Sequence, residues 1–205
     1  MTAGVDIRHI YPIMIQQKGR AKHTKLQDCS LDEVRFISCQ NLLNDSIKPI
    51  PSSSTSQVKI TKFLSRWRYH IFADLHNSYF QIPIRQDLWG YMGVNTPLRG
   101  IKILTRAGQG LLNSDVHLDQ LMYKVLGDEI ASAIAEVARD HIQVGGNTID
   151  QLIEHWSVVL HKFAQCNLKI SPEKVRILLD DVEVYGIRVQ NGFIAPSPHR
   201  INGKY

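Results

Sequence analysis

The chain has 205 residues, 43% of them apolar, which suffices for one ordinary domain, or a domain with a small lobe, and for a buried core. The formal net charge of +5 is compatible with a polyanionic partner but does not require one. No apolar run approaches the roughly 18 residues of a membrane-spanning helix, and the N-terminus lacks a signal-peptide pattern. Cys29, Cys39 and Cys166 form no C-x-x-C pair, which argues against a zinc ribbon or a disulfide framework and favours a reducing, intracellular compartment.

The N-terminal part of the chain is mostly polar. A short strand is predicted over 35–39, and one or two helical turns over 59–67. Between them, residues 44–57 are rich in Asn, Pro, Ser and Thr, which favour turns over regular structure, so a loop is predicted there. A basic cluster precedes these elements, at Lys18, Arg20, Lys22 and Lys25.

An apolar run beginning at Ile71 ends in a lone carboxylate, Asp74. Five residues later the aromatic pair Tyr79-Phe80 opens a second apolar run that ends at Ile84. This pattern indicates a strand, a turn and a partly buried aromatic platform. Asp74 would then lie at the rim of a sheet, where a carboxylate can hold a hard metal ion.

The middle of the chain predicts two strands and a helix. The strands are expected over 91–94 and 100–104, joined by a turn around Pro97. The helix is expected over 114–126, with Gly127 as its stop signal. Its apolar residues recur at helical spacing, at Leu118, Leu121, Met122 and Val125.

The last third predicts a strand, a turn and a strand over 134–146, then a helix over 148–166 and a hairpin turning at Asn191-Gly192. Thr148 and Gln151 have the spacing of a capping box. An apolar stripe on the helix is expected to pack on a sheet; it comprises Ile149, Ile153, Trp156, Leu160 and Phe163. This order of elements is typical of an α+β fold, an antiparallel sheet covered by helices.

Several motifs together resemble reverse transcriptases. Ile71–Ile84 is similar to their first carboxylate motif, most closely that of LTR retrotransposons of gypsy-like or related type. Residues 138–146 resemble the paired-Asp hairpin, and Gln109–Ser114 resembles the Gln-Gly…Asn-Ser motif that precedes the first palm helix. The resemblance covers 35–201 and implies a fingers–palm domain without thumb or ribonuclease H. Residues 1–34 match poorly and are expected to be part of the fingers or flexible.

The resemblance implies an RNA-directed DNA polymerase that uses two Mg²⁺ ions for template-directed nucleotidyl transfer. Asp74 and Asp140 would be catalytic metal ligands, and His141 stands where the second Asp of the pair is usual. This substitution removes a negative charge and offers nitrogen, which suits zinc or manganese better than magnesium. An inactive or strongly impaired enzyme is therefore expected.

Other family positions imply nucleotide contacts. Tyr79 falls on the steric gate against the ribose 2′-hydroxyl, Gln109 and Gly110 fall on the nucleotide and template contacts, and Lys174 falls on a phosphate-side lysine. Asn41 stands where an Arg that grips the triphosphate is usual. Asn cannot make a charge-assisted bidentate contact to phosphate, so weak nucleotide binding is expected.

The family resemblance also implies partners. Tyr185 and Gly186 resemble the primer-grip hairpin, so an RNA or DNA primer–template and a dNTP would bind. A protein partner could cover the face left by the missing thumb, and no membrane partner is expected. The alternative is a catalytically inactive scaffold or nucleic-acid-binding subunit of a larger assembly. A second acidic pair, Asp180-Asp181, is interpreted as an ordinary turn between elements.

Overall fold

The computed structural model divides into two compact units. Unit 1 consists of Met1–Pro51 and Tyr79–His117, and unit 2 consists of Ser52–Ser78 and Leu118–Tyr205. The structure describes residues 4–17, 34–52, 55–96, 99–177, 181–184, 187–190 and 193–196.

Unit 1 contains a four-stranded sheet in the order β2-β1-β4-β5. Strand β1 (Ile10–Gln17) is antiparallel to β2 (Val34–Ser38) and parallel to β4 (Gly93–Thr96), which is antiparallel to β5 (Gly100–Ile103). The predictions of β2 and of the β4–β5 pair are confirmed. Strand β1 was not predicted, and its Pro12, which has no N–H to donate, is a residue that usually argues against a strand.

The residues that precede β1 also pack tightly within unit 1. The N–H groups of Arg8 and His9 donate to the carbonyl of Gly90, at 2.8 and 3.3 Å. A Cβ at Gly90 would lie 2.5 Å from the carbonyl oxygen of Asp6, so the close approach requires glycine there. A short helix, α1 (Asn41–Asn44), and a 3₁₀ helix, Gln86–Tyr91, complete the regular structure of this unit.

Unit 2 contains a second four-stranded sheet, in the order β6-β7-β3-β8. Strands β3 (Tyr69–Asp74), β6 (Ala135–Ala138), β7 (His141–Gly146) and β8 (Arg176–Ile177) pair antiparallel throughout. The strand–turn–strand predicted over 134–146 is thus confirmed. With its helices, this antiparallel sheet gives the predicted α+β, palm-type fold.

Helix α2 (Gln57–Arg66) covers one face of this sheet. It begins at Ser56, whose hydroxyl accepts the N–H of Lys59. Its buried residues and Trp67, which directly follows it, form a cluster that packs against Phe72 and Ala138 of the sheet. The cluster consists of Ile60, Phe63, Leu64 and Trp67. Trp67 lies directly on Gly145 of β7, where any Cβ would collide with the indole.

Helix α3 spans Ser114–Ala131, and its helical geometry is broken at Leu126, where the predicted helix ends, before a second helical segment continues to Ala131. Gly127 does not adopt a positive φ; the helix bends at Leu126 (φ −112°) and continues. The left-handed residue that ends α3 is Ala133 (φ 56°). Its N–H bonds the carbonyl of Ile130, and the next N–H bonds that of Glu129, which together form a Schellman motif.

Helix α4 (Ile149–Gln165) begins at the predicted cap, since the hydroxyl of Thr148 accepts the N–H of Gln151 at 3.1 Å. The predicted buried stripe, however, is mostly wrong. Of its members only Phe163 is buried, whereas Ile149, Ile153 and Leu160 are 48%, 55% and 37% exposed. The buried face is the neighbouring row, formed by Leu152, Val159 and Phe163.

The C-terminal strands β9 (Asp181–Val184), β10 (Ile187–Gln190) and β11 (Phe193–Pro196) form an antiparallel sheet, as predicted for the final hairpin. The basic cluster at 18–25, the turn Asn191-Gly192 and the primer-grip residues Tyr185 and Gly186 lie outside the described residues. Within the described part of the chain, no helix combines the length and apolar character needed to cross a bilayer.

Candidate functional site

The backbone of unit 2 brings the two predicted acids to one end of its sheet. Asp74 is the last residue of β3 and pairs with His141, the first residue of β7. Between β6 and β7, Arg139 (φ 59°) and Asp140 form a two-residue turn. The carbonyl of Asp140 accepts the N–H of Leu75 at 2.9 Å, which fixes this turn beside the end of β3.

The carboxylate of Asp74 has a nitrogen partner on each oxygen. Its Oδ1 lies 2.6 Å from Nδ1 of His141, and its Oδ2 lies 3.2 Å from Nζ of Lys174. The other ring nitrogen of His141, Nε2, lies 4.0 Å from Oδ1 of Asp140. The imidazole therefore stands between the two acids, and these four residues form what we call the Asp74 cluster.

The electrostatics of the cluster keep Asp74 ionised. Partial burial acts to raise the pKa of Asp74, but the hydrogen bonds and charges of His141 and Lys174 outweigh it and hold that pKa below its ordinary value. The N–H of Ser171 donates to the carbonyl of Asp74 at 2.8 Å, which fixes this segment beside the end of β3. A 3₁₀ helix (Pro172–Lys174) follows directly and positions Lys174.

These residues do not fit a pair of Mg²⁺ ions. Magnesium takes oxygen ligands in octahedral geometry, and a two-ion site needs several carboxylates. Here both oxygens of Asp74 are already engaged, and the third position offers an imidazole nitrogen. Across the described ranges, no three His, Cys, Asp or Glu side chains converge as metal ligands.

The predicted template-side residues Gln109 and Gly110 lie in unit 1. Gln109 forms a single parallel bridge with Ile37 of β2. Gly110 has a φ of 100°, and a Cβ there would lie 3.0 Å from the carbonyl oxygen of Ser38, so the backbone conformation and the close approach both favour glycine.

Two asparagines with no predicted role hold these loops of unit 1. The amide of Asn44 donates to the carbonyl of Gly110 at 2.7 Å and accepts the N–H of Leu112 at 2.8 Å. Buried Asn113 (φ 66°) accepts the N–H of Ile50 and donates to the carbonyl of Lys48, both at 3.0 Å. The residue type was the available signal, because the side chain of Asn bonds backbone groups readily.

The remaining predicted nucleotide contacts also lie in unit 1. Asn41 is the exposed first residue of α1, and half-buried Tyr79 lies in a 3₁₀ helix, Ser78–Gln81, directly after unit 2's first segment. The described site residues thus fall into two groups. The predicted catalytic acids, His141 and Lys174 are together in unit 2, whereas the other predicted nucleotide contacts belong to unit 1.

Residues 15–189 match the family described as "Reverse transcriptase (RNA-dependent DNA polymerase)". No curated protein sequence matches the chain. Among solved structures, it is similar to a foamy viral protease–reverse transcriptase in complex with dsDNA, with 19% identity and a TM-score of 0.73 over 84% of this chain and 31% of that one. The same viral protein in complex with RNA/DNA hybrid shows 19% identity and a TM-score of 0.72.

The RNA/DNA hybrid complex is matched over 96% of this chain and 25% of that one. The native protease–reverse transcriptase of Prototype Foamy Virus has 21% identity and a TM-score of 0.63, over 78% of this chain and 21% of that one. This chain therefore spans less than a third of the length of these three structures. Likenesses at such low identity show a common fold.

Proposed function

The chain belongs to the reverse transcriptase (RNA-dependent DNA polymerase) family, and we propose that it is a fingers–palm domain of LTR-retrotransposon origin whose nucleotidyl transfer is lost or strongly impaired. The retrotransposon origin is supported by the motif from Ile71 to Ile84. The impairment is supported chiefly by one observation: both oxygens of the Asp74 carboxylate are held by His141 and Lys174.

When bound, a pair of divalent ions in this family activates the attacking oxygen and stabilises the leaving one. In this chain, the charges that would attract such ions are compensated internally. Asp74 and Asp140 carry two negative charges, Lys174 contributes one positive charge, and His141 contributes a second when protonated. An ion entering the cluster would have to displace these partners.

Weak nucleotide binding is a second part of the proposal. Asn41 is uncharged and exposed at the start of α1. An Arg at this position could bind a triphosphate oxygen pair through two parallel N–H groups, whereas an amide offers at most two neutral donors. The loss of this contact reduces affinity for the nucleotide independently of the chemistry at Asp74.

Primer extension on a labelled primer–template, with Mg²⁺ or Mn²⁺ and dNTPs, tests the proposal. We expect little or no extension by the unaltered chain and a measurable gain in the double variant His141→Asp/Asn41→Arg. His161→Asp adds the same charge at an exposed position of α4 and serves as the matched control. Robust extension by the unaltered chain, abolished by Asp74→Asn, would refute the impairment.

A second candidate function is a nucleic-acid-binding subunit or scaffold of a larger assembly. It is supported by the net charge of +5 and by the similar foamy viral structures, which hold dsDNA or an RNA/DNA hybrid. Primer–template binding that weakens steeply with salt, together with absent extension, would favour it. No binding at any salt concentration would count against it.

A further inference from the structure

The segment from Gln57 to His70 carries four cations and no acid, and α2 makes up most of it. Because the helix buries the row that contains Phe63 and Leu64, its charged residues lie on the opposite side. Lys62 and Arg66 on α2, and Arg68 just after it, are all exposed. We call these three residues the α2 basic face.

Three cations of unit 2 are neutralised by carboxylates, whereas those of the α2 basic face are not. Lys59 lies 3.3 Å from buried Glu136, Lys162 lies 2.7 Å from Glu129, and Lys174 is held by Asp74. By contrast, within the described ranges no carboxylate lies at ion-pair distance from the α2 basic face. Among the described residues, these three positive charges therefore have no carboxylate partner.

Two of these cations rest on aromatic rings. The guanidinium of Arg66 lies 5.2 Å from the centre of the Trp67 ring, and that of Arg68 lies 5.1 Å from the centre of the Tyr69 ring. Trp67 is itself buried, and its Nε1 donates to the carbonyl of Ala133 at 2.9 Å. A guanidinium stacked on a fixed ring loses less freedom on binding and keeps its N–H edge for a bidentate acceptor.

We propose that the α2 basic face binds the phosphate backbone of a nucleic-acid strand, as a surface additional to the Asp74 cluster. Strand β3 starts at Tyr69 beside this face and ends at Asp74, a rise of roughly 17 Å at about 3.4 Å per residue. Phosphate fits the surface because guanidinium groups bind its paired oxygens. The inference rests on the proposed nucleic-acid-binding role and names the residues that carry it.

Fluorescence anisotropy with a labelled single-stranded RNA tests the surface, with the whole chain and with the triple variant Lys62→Gln/Arg66→Gln/Arg68→Gln. Each phosphate contact contributes about 0.7 to the slope of log K against log[salt] for a single strand, so losing three should reduce that slope by roughly 2. Lys124→Gln removes one charge from an exposed position on α3 and should shift the slope far less. The double variant Arg66→Lys/Arg68→Lys keeps the charge but loses the planar edge, and we expect intermediate affinity.

The outcomes separate this inference from the proposed function. If the unaltered chain binds RNA and the folded triple variant binds with the same slope, the α2 basic face is not the phosphate contact, and the proposed function is untouched. If the unaltered chain binds no nucleic acid at all, both the inference and the second candidate function fail. If polyglutamate displaces RNA at equal charge concentration, the surface prefers an acidic protein, which also overturns the inference.

Discussion

At the scale of single residues, Asp74 depends on partners that are distant in sequence. His141 reaches it across the β3–β7 pair, and Lys174 reaches it from a turn that follows α4. A hydrogen bond to a charged group contributes about 1.5–3 kcal/mol when buried, and less where water reaches it. The Asp74 cluster therefore ties together three segments of unit 2, and its contribution should depend on the ionisation of Asp74.

The stability of the chain should lose the contribution of Asp74 in acid. Because its folded-state pKa lies below the ordinary 3.8, the unfolded chain takes up a proton first as the pH falls. Ionised Asp74 makes its full contribution to the free energy of unfolding above about pH 3.8. That contribution disappears as the pH falls through the lower pKa of the folded state. Asp74→Asn should be less stable than the unaltered chain at pH 6 by about 1–3 kcal/mol, and the gap should close in acid. Urea unfolding of both chains against pH measures this, and a gap that persists at the lowest pH contradicts it.

A buried imidazole gives a second, separate pH dependence. His70 is only 1% exposed, and neither ring nitrogen has a well-formed hydrogen bond in the described part of the chain. Burial lowers the pKa of His70, and the nearby backbone of Trp67 and Leu64 offsets this only in part. The unfolded chain then binds a proton near the ordinary 6.5 while the folded chain does not, so stability falls as the pH drops below that value.

Replacing this histidine should remove that dependence. His70 lies among aromatic rings, 6.3 Å from Phe63 and 6.0 Å from Phe72, so His70→Phe keeps the packing and deletes two unsatisfied polar atoms. Such replacements are neutral or stabilising. We expect the variant to gain stability relative to the unaltered chain between pH 7 and pH 5, measured by urea midpoints. His161→Phe on the exposed side of α4 is the control, and equal slopes in all three chains would contradict the expectation.

At the scale of elements, periodicity predicted where helices and strands occur better than which side they bury. On α4, two apolar rows lie side by side, one through Ile149 and Ile153 and one through Leu152 and Val159. Both have helical spacing, so the sequence alone could not identify the row that faces the sheet. The order of elements along the chain and the antiparallel pairing of β6 and β7 followed from the pattern without this information.

The predicted end of α3 coincides with the kink at Leu126, but the chain resumes a helix there because Gly127 is not left-handed. Gly127 lies inside the helix with open space around its Cα, whereas Ala133 occupies the left-handed position. Gly127→Ala should therefore stabilise the chain by about 0.5–1 kcal/mol, since alanine loses less backbone entropy in a helix.

Ala133→Gly should also be stabilising, by roughly 1 kcal/mol, because a left-handed alanine is strained and a glycine is not. Thermal unfolding of the single and double variants measures both effects and whether they add. Gly145→Ala is the opposing control, because its Cβ would meet the Trp67 ring. If Gly127→Ala were destabilising, the bend at Leu126 would need glycine next to it.

At the scale of the whole molecule, the sequence predicted the fold class and the order of its palm elements, but it did not predict β1 or that each unit is built from two separate segments. Those depend on pairings between distant segments, such as β1 with β4, that no local pattern specifies. The same limit applies to the site. The sequence predicted that Asp74, Asp140 and His141 lie together, as they do, whereas the contact of Lys174 with Asp74, across 100 residues, required the folded chain.

The negative charge of Asp74 is balanced inside the chain by Lys174 and His141, and this predicts how the folded molecule responds to metal. A ligand that binds only the folded state raises stability, by about 2.7 kcal/mol at one hundred times its Kd. Because the Asp74 cluster supplies its own cations, the melting temperature of the unaltered chain should be the same in magnesium and in EDTA. His141→Asp exchanges the imidazole for a third carboxylate, so its apo form should melt lower through like-charge repulsion and recover in magnesium. Calorimetry measures the melting temperature of the unaltered chain and of His141→Asp in magnesium and in EDTA. His161→Asp is the charge-matched control. A magnesium-dependent rise in the unaltered chain would mean that the ion displaces Lys174 and His141 from Asp74, and that the cluster is a metal site after all.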